Sequence, residues 1–275
     1  MSEPPRRPPA APQAQSPLWG LGFAVALIAA WIASLLLLLL LPPEILGPPS
    51  APALVAVVLV AVALRVFLQT GLFIVAHDAM HGSLLPGAPR WNDRIGRLAL
   101  GLYAALPWTV CRRHHRSHHQ APASPTDPDH HDGRHQSALA WYGRFMASYL
   151  TPGQMGRLLG AWLLCLALLA PHSVHALQRL LLFWTLPLLI SSLQLFLIGT
   201  YLPHRASRSR TGDRHRAASL AWPTPLSLLA CFHFGYHWEH HDSPELPWYR
   251  LPERRRLVTV PGQAAASLAL PAIRR

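Results

Sequence analysis

Four long apolar runs restrict this chain to a small set of architectures. Leu18 to Leu41 and Ala51 to Ala76 both exceed the roughly 20 residues a helix needs to cross a bilayer. Leu158 to Ala170 and Leu180 to Tyr201 read as a third and a fourth span, the third short enough to recruit residues before Leu158. In hydrocarbon each backbone N–H and C=O must be satisfied within its own segment, so such runs fold as helices. A further apolar piece, Ile95 to Val110, is too short to span and is expected to lie along the interface or re-enter it. The first run is too long for the core of a signal peptide, and Pro42-Pro43 stops it.

Charge gives the expected orientation. The net charge is +12 and all 24 basic residues are Arg. A basic chain can signal nucleic-acid binding, but these arginines gather in the N-terminal tail, in 77–157 and in 202–275. The tight loops 42–50 and 171–179 hold none and one, Arg179. That distribution follows the positive-inside rule. It predicts a multi-pass protein of the inner (cytoplasmic) membrane with both termini cytoplasmic, and no nucleic-acid partner. The expected fold is all-α and membrane-integral: four transmembrane helices as two hairpins, under a cytoplasmic helical cap. Residues 1–16, rich in Pro, Ala and Arg, read as a disordered cytoplasmic tail, 17–253 as the membrane domain, and 254–275 as a C-terminal tail. Cys111, Cys165 and Cys231 show no CxxC spacing and no disulfide framework.

The 17 histidines are far in excess of what such a chain normally carries, and they cluster. His77 and His81 form an HxxxH pair where the second span ends. On a helix the two rings share a face one turn apart, a geometry that can chelate a metal. Alone, the pair is equally well read as two polar residues at a helix end. His115, His118 and His119 form an HxxHH box, with His114 offset by about 100°, and His237, His240 and His241 form another. All three clusters fall on the side that the Arg bias makes cytoplasmic. His204 stands alone where the fourth span leaves the membrane, and by spacing alone a structural role is the better reading of a lone His.

Nine imidazoles exceed the needs of one metal, since a structural zinc takes four ligands and a catalytic one usually three. They suit two ions with four or five ligands each. There is no HExxH of a zinc protease. Imidazole alone does not choose iron over zinc or copper. Asp78, Glu239 and Asp242 lie in or beside the boxes and can accept the outer N–H of a ligand ring; Asp127 and Asp129 can do the same or simply form a turn. His233 is a further candidate to orient a ligand. His130, His131 and His135 lie in a polar loop, His215 in an Arg-rich segment, and His172 and His175 in the opposite-side loop.

These boxes resemble the pattern of the membrane fatty acid desaturase/hydroxylase superfamily, HxxxH, HxxHH and HxxHH around a di-iron centre. Within it the chain resembles the bacterial β-carotene ketolases (carotenoid 4-ketolases). The resemblance is carried by AHDAMHGSLLPG (76–87), the box followed by DPD (115–129), GTYLPHR (199–205) and FHFGYHWEHHDSPELPWYRLP (232–252). It covers the core from about residue 55 to 253. It implies two iron ions and O2, with an external electron donor of the ferredoxin type. The implied reaction oxidises the C4 methylene of a β-ionone ring, drawn from the bilayer, to a ketone. It also implies that His204 joins the other eight histidines as a ligand. Trp238 departs from the pattern, standing where relatives commonly have His. The same metal site would serve a fatty acid desaturase or hydroxylase, or a carotenoid hydroxylase. A metal transporter would instead place His or Asp inside the spans.

Overall fold

The computed structural model describes residues 16–40, 50–131, 133, 136–205 and 213–258. Among them the regular structure is helical: α1 (Pro17–Leu40), α2 (Ala51–His81), α3 (Pro89–Ala104), α4 (Trp108–Gln120), α5 (Ala138–Tyr149), α6 (Pro152–Leu169), α7 (Ala176–Arg205), α8 (Thr224–Cys231), α9 (His237–Asp242) and α10 (Leu251–Leu257). Four of these, α1, α2, α6 and α7, are long and apolar enough to cross a membrane. Residues 41–49 of the first loop, most of the N-terminal tail and the chain after residue 258 lie outside the described residues.

The span boundaries differ from the sequence expectation in ways that matter for the site. α2 does not end near Ala76 but runs to His81. Its 31 residues make a helix about 46 Å long, against a hydrocarbon core of about 30 Å. The surplus turns carry His77 and His81. The helix stops at Gly82, which adopts φ 77°, a left-handed conformation open to glycine without a steric penalty. α6 starts earlier than expected, at Pro152, where Thr151 Oγ1 accepts the Gln154 N–H at 3.2 Å. α7 begins at Ala176 and contains two π-turns, Leu181–Thr185 and Leu197–Tyr201.

The short apolar piece 95–110 is not one helix. α3 ends at Ala104, Ala105 turns left-handed, and Pro107 precedes a new start at Trp108. A proline has no N–H to continue a helix and disfavours helical geometry in the residue before it, so the run breaks there. The domain end expected at 253 falls inside α10, which continues to Leu257.

Polar side chains knit the apolar helices together. Arg65, the lone charge of the apolar run 51–76, is fully buried. Its Nη1 donates to the Trp31 carbonyl at 2.7 Å and its Nε to the Phe183 carbonyl at 3.0 Å, joining α1, α2 and α7. One turn on, Gln69 accepts from Trp31 Nε1 and donates to the Tyr103 carbonyl, both at 2.6 Å. Such bonds matter where no water can take their place. At the far end of α2, Gly20 of α1 sits so close that a Cβ there would fall 1.9 Å from the Leu84 carbonyl oxygen. These contacts fix α2, the longest helix, against its neighbours and hold its polar end in place.

Candidate metal centre

Nine histidines from four helices converge at one end of the bundle. α2 supplies His77 and His81, α4 supplies His115, His118 and His119, the last turn of α7 supplies His204, and α9 supplies His237, His240 and His241. They form two groups. His77, His81, His115, His119 and His240 make one; His118, His204, His237 and His241 make the other, with the ligand-capable atoms of each group within 4.8 Å of one another. His114 belongs to neither and packs edge-on against Tyr149.

The two HxxHH boxes divide between the groups in opposite senses. On a helix, residue i+4 lies about 40° from i, and i+3 about 60° to the other side. In α4 the i and i+4 rings, His115 and His119, face the first group while His118 faces the second. In α9 the i and i+4 rings, His237 and His241, face the second while His240 faces the first. So a box does not serve one ion from one face, as its spacing alone suggests. It presents a pair to one position and a single ring to the other.

The nitrogens meet at their Nε2 edges. In the first group His81 and His115 approach to 2.6 Å, and His119 and His240 to 2.9 Å. In the second, His204–His237, His237–His241 and His118–His241 stand at 2.9, 3.0 and 3.1 Å. Two nitrogens about 2.1 Å from a shared ion and at right angles are about 3 Å apart. The outer nitrogens fix the tautomers: His204 Nδ1 donates to the Arg216 carbonyl at 2.8 Å, and His118 Nδ1 pairs with Asp127 Oδ2 at 2.9 Å. With the proton outside, a neutral ring turns its Nε2 lone pair inward. Buried His77 Nε2 has no hydrogen-bond partner either. Several lone pairs aimed at common points in a buried site repel unless a cation sits between them, so this donor set fits a metal at each position. The two groups are consistent with a di-iron site.

Electrostatics favours the ligand form. Burial, then the neighbouring imidazoles, holds His115, His119, His237, His240 and His241 well below the ordinary imidazole range. For His118 burial acts in the same direction, but the Asp127 carboxylate outweighs it and raises the ring.

The acidic candidates separate. Asp127, rather than Asp129, grips His118, and it also accepts the backbone N–H groups of Ala123 and Asp129 at 2.9 Å. Asp129 takes the Tyr149 hydroxyl at 2.6 Å. Asp78 lies 3.5 Å from His77 Nδ1 and accepts the Trp248 N–H at 3.1 Å. Glu239 holds Arg255 at 3.0 Å and the Ser219 hydroxyl, and Asp242 holds Arg254 at 3.1 Å. Those two acids clamp α9 to α10 and touch none of the nine rings. His233 packs on Tyr236 and Trp248, away from both groups. The loop histidines His130 and His131 are buried edge-on around Trp141, an arrangement their polar surroundings in sequence do not announce. His215, from the Arg-rich segment, sits 3.7 Å from Asp242. His172 and His175 are exposed at the α6–α7 turn.

Burial is the main reason the Asp129 carboxyl is pushed up, to about 6. A carboxyl raised above its unfolded value near 3.8 contributes stability that is complete below that value and is lost as pH rises through 6. Asp129→Asn keeps an acceptor for Tyr149 and removes the titration. The variant should gain on the wild type between about pH 4 and 6, by about 3 kcal/mol at most, and run parallel above. Denaturant unfolding across that range tests it; parallel curves throughout would refute the assignment.

Sequence comparison places these features among known proteins. The profile described as Fatty acid desaturase matches residues 50–164 and 154–264, which contain all nine histidines. The chain belongs to the fatty acid desaturase family. A beta-carotene ketolase of Paracoccus sp. (strain PC1) is 44% identical over 191 residues, 69% of this chain and 76% of the relative. One from Paracoccus sp. (strain N81106 / MBIC 01143) is 43% identical over 195 residues, 69% and 75% of the two chains. A zeaxanthin 4-ketolase of Chlamydomonas reinhardtii is 36% identical over 262 residues, 92% of this chain and 55% of the relative.

A cavity adjoins the histidine groups in this desaturase-family chain. His77, His115, His118 and His237 line one side; Phe73, Met80, Phe145, Leu195 and Phe234 give it an apolar wall. Its lining thus sets an apolar wall beside the imidazoles of both groups.

Proposed function

We propose that this chain is a membrane di-iron oxygenase that converts the C4 methylene of carotenoid β-ionone rings to a ketone, taking β-carotene through echinenone to canthaxanthin. The observation that carries the proposal is the apolar cavity opening onto two buried imidazole groups. It occurs in a chain 44% identical over 191 residues to a beta-carotene ketolase. His77, His81, His115, His119 and His240 would hold one iron, and His118, His204, His237 and His241 the other. Bound there, iron supplies the activation of O2 that an allylic C–H bond otherwise lacks.

Each oxidation breaks one C4–H bond and forms one C4–O bond. One oxygen atom enters the ring, and the other leaves as water with two electrons and two protons from outside. A second round gives a C4 diol, which loses water to the ketone. The chain's own residues position and exclude. Asp127 holds the His118 tautomer, the Arg216 carbonyl holds that of His204, and the Phe73, Phe145 and Phe234 rings keep water from the reacting carbon.

The topology we infer has α1–α2 and α6–α7 as hairpins, with α4, α9 and the intervening helices as a cytoplasmic cap. The Arg bias supports that orientation, and the functional unit extends from residue 17 through α10. The substrate would enter from the bilayer. An electron donor of the ferredoxin type, itself acidic, would find a groove of Arg97, Arg112, Arg113 and Arg116 on α3 and α4, across α4 from its histidines.

Expression in bacteria that make β-carotene tests the reading. Echinenone and canthaxanthin should appear in pigment extracts separated by chromatography and identified by mass spectrometry. Unchanged β-carotene, with the protein present in membranes, would overturn it.

A further inference from the structure

Besides histidines and apolar groups, the cavity wall includes Asp129, Tyr149 and Thr200. Asp129 and Tyr149 are engaged with each other through the 2.6 Å hydroxyl–carboxyl bond. Thr200 Oγ1 has no hydrogen-bond partner among the described residues. The residue sits in the second π-turn of α7, Leu197–Tyr201. A π-turn inserts one residue into a helix and swings its neighbours around the axis, and such turns gather at functional sites. Here the turn brings Gly199 and Thr200 to the cavity just before His204. Gly199 gives its space to the Phe234 ring, and Thr200 lines the cavity with its hydroxyl unpaired.

A buried hydroxyl is costly unless something answers it. An unsubstituted β-ionone ring has no oxygen and cannot. After one oxidation the ring carries a C4 hydroxyl, which can. We infer that Thr200 retains the half-oxidised ring: its hydroxyl hydrogen-bonds the C4 oxygen introduced in the first oxidation and holds that carbon at the histidine groups for the second. The inference rests on the ketolase reading and makes Thr200 a positioning residue. It neither gains nor loses a proton in the balanced steps above. Its effect lies in the partition between release of the 4-hydroxy ring and its second oxidation.

Two variants isolate the hydroxyl. Thr200→Val keeps the branched shape and loses the oxygen; Thr200→Ser keeps the oxygen. In β-carotene-producing bacteria, T200V should raise the ratio of 4-hydroxy to 4-keto rings about fivefold, the worth of one ordinary hydrogen bond, and T200S should restore it. With detergent-purified holoenzyme, the KM for added 4-hydroxy-β-carotene should rise by about the same factor, while that for β-carotene stays put. Iron content, measured on the same samples, should be unchanged. A wild-type product ratio in T200V overturns the inference. So does a parallel fall of hydroxy and keto products, or loss of iron, since either would mean a structural role. A wild type that makes no 4-oxidised ring overturns the ketolase reading itself, a separate result.

Discussion

His118→Ala should abolish ketone formation, lowering turnover by more than about 100-fold, while the protein still inserts in the membrane. His118 is one of four rings in its group, and Asp127 holds it in the tautomer that turns its lone pair inward. Its loss leaves three donors and takes from the buried Asp127 carboxylate its imidazole partner, leaving only the Ala123 and Asp129 N–H groups, which weakens both the site and the loop that carries Asp127. His240→Ala should do the same from the other group. His114→Ala is the control, because that neighbour packs on Tyr149 outside both groups. Iron per chain, measured by elemental mass spectrometry alongside pigment analysis, should fall in the first two variants and hold in the third. Near-normal turnover in H118A would end the di-iron assignment.

Gly199→Val should cost nearly as much activity without touching a histidine. A Cβ at 199 would fall 2.1 Å from the Phe234 ring. That ring cannot retreat freely, because it already stands edge-on to His77 at 4.8 Å and to His237 at 5.5 Å. The added bulk therefore pushes an aromatic ring toward both metal positions. Overpacking of this kind costs about 1–3 kcal/mol, and ketone output should drop by more than about tenfold. A second change, Phe234→Leu, frees the space and should recover part of both losses. Thermal unfolding in detergent and pigment extracts read the two effects; an unaltered G199V would show that α7 and Phe234 are not packed as described.

The clustering of histidines at one end was legible in the sequence because its signal is chemical and local. His77 and His81, and the two HxxHH boxes, declare themselves by helical spacing, and the Arg bias places all three clusters on one side. His204 was not legible from spacing, since a lone ring has no partner to mark it; its membership comes from the resemblance and from the α7 geometry that brings it to His237. The split of each box between two groups was hidden as well. It depends on how α4 and α9 are rotated about their axes, which is set by tertiary contacts such as Trp238 N–H to Ser219 and Arg255 to Glu239. Apolar runs mark spans well but locate their ends badly. α2 outlasts its apolar run at Ala76 because buried His77 and Asp78 find partners at its end, whereas Pro107 breaks a run that hydropathy reads as continuous.

The crossed sharing of the two boxes has a consequence for assembly. α4 and α9 each own part of both positions, so neither position can be finished while either helix is out of place. Two ions bound there would act as rivets through the same pair of plates: seating one would bring the rings of the other into line, and withdrawing one would slacken both. A half-loaded protein should then be scarce, and a reaction that needs both ions would gain a safeguard against firing with one.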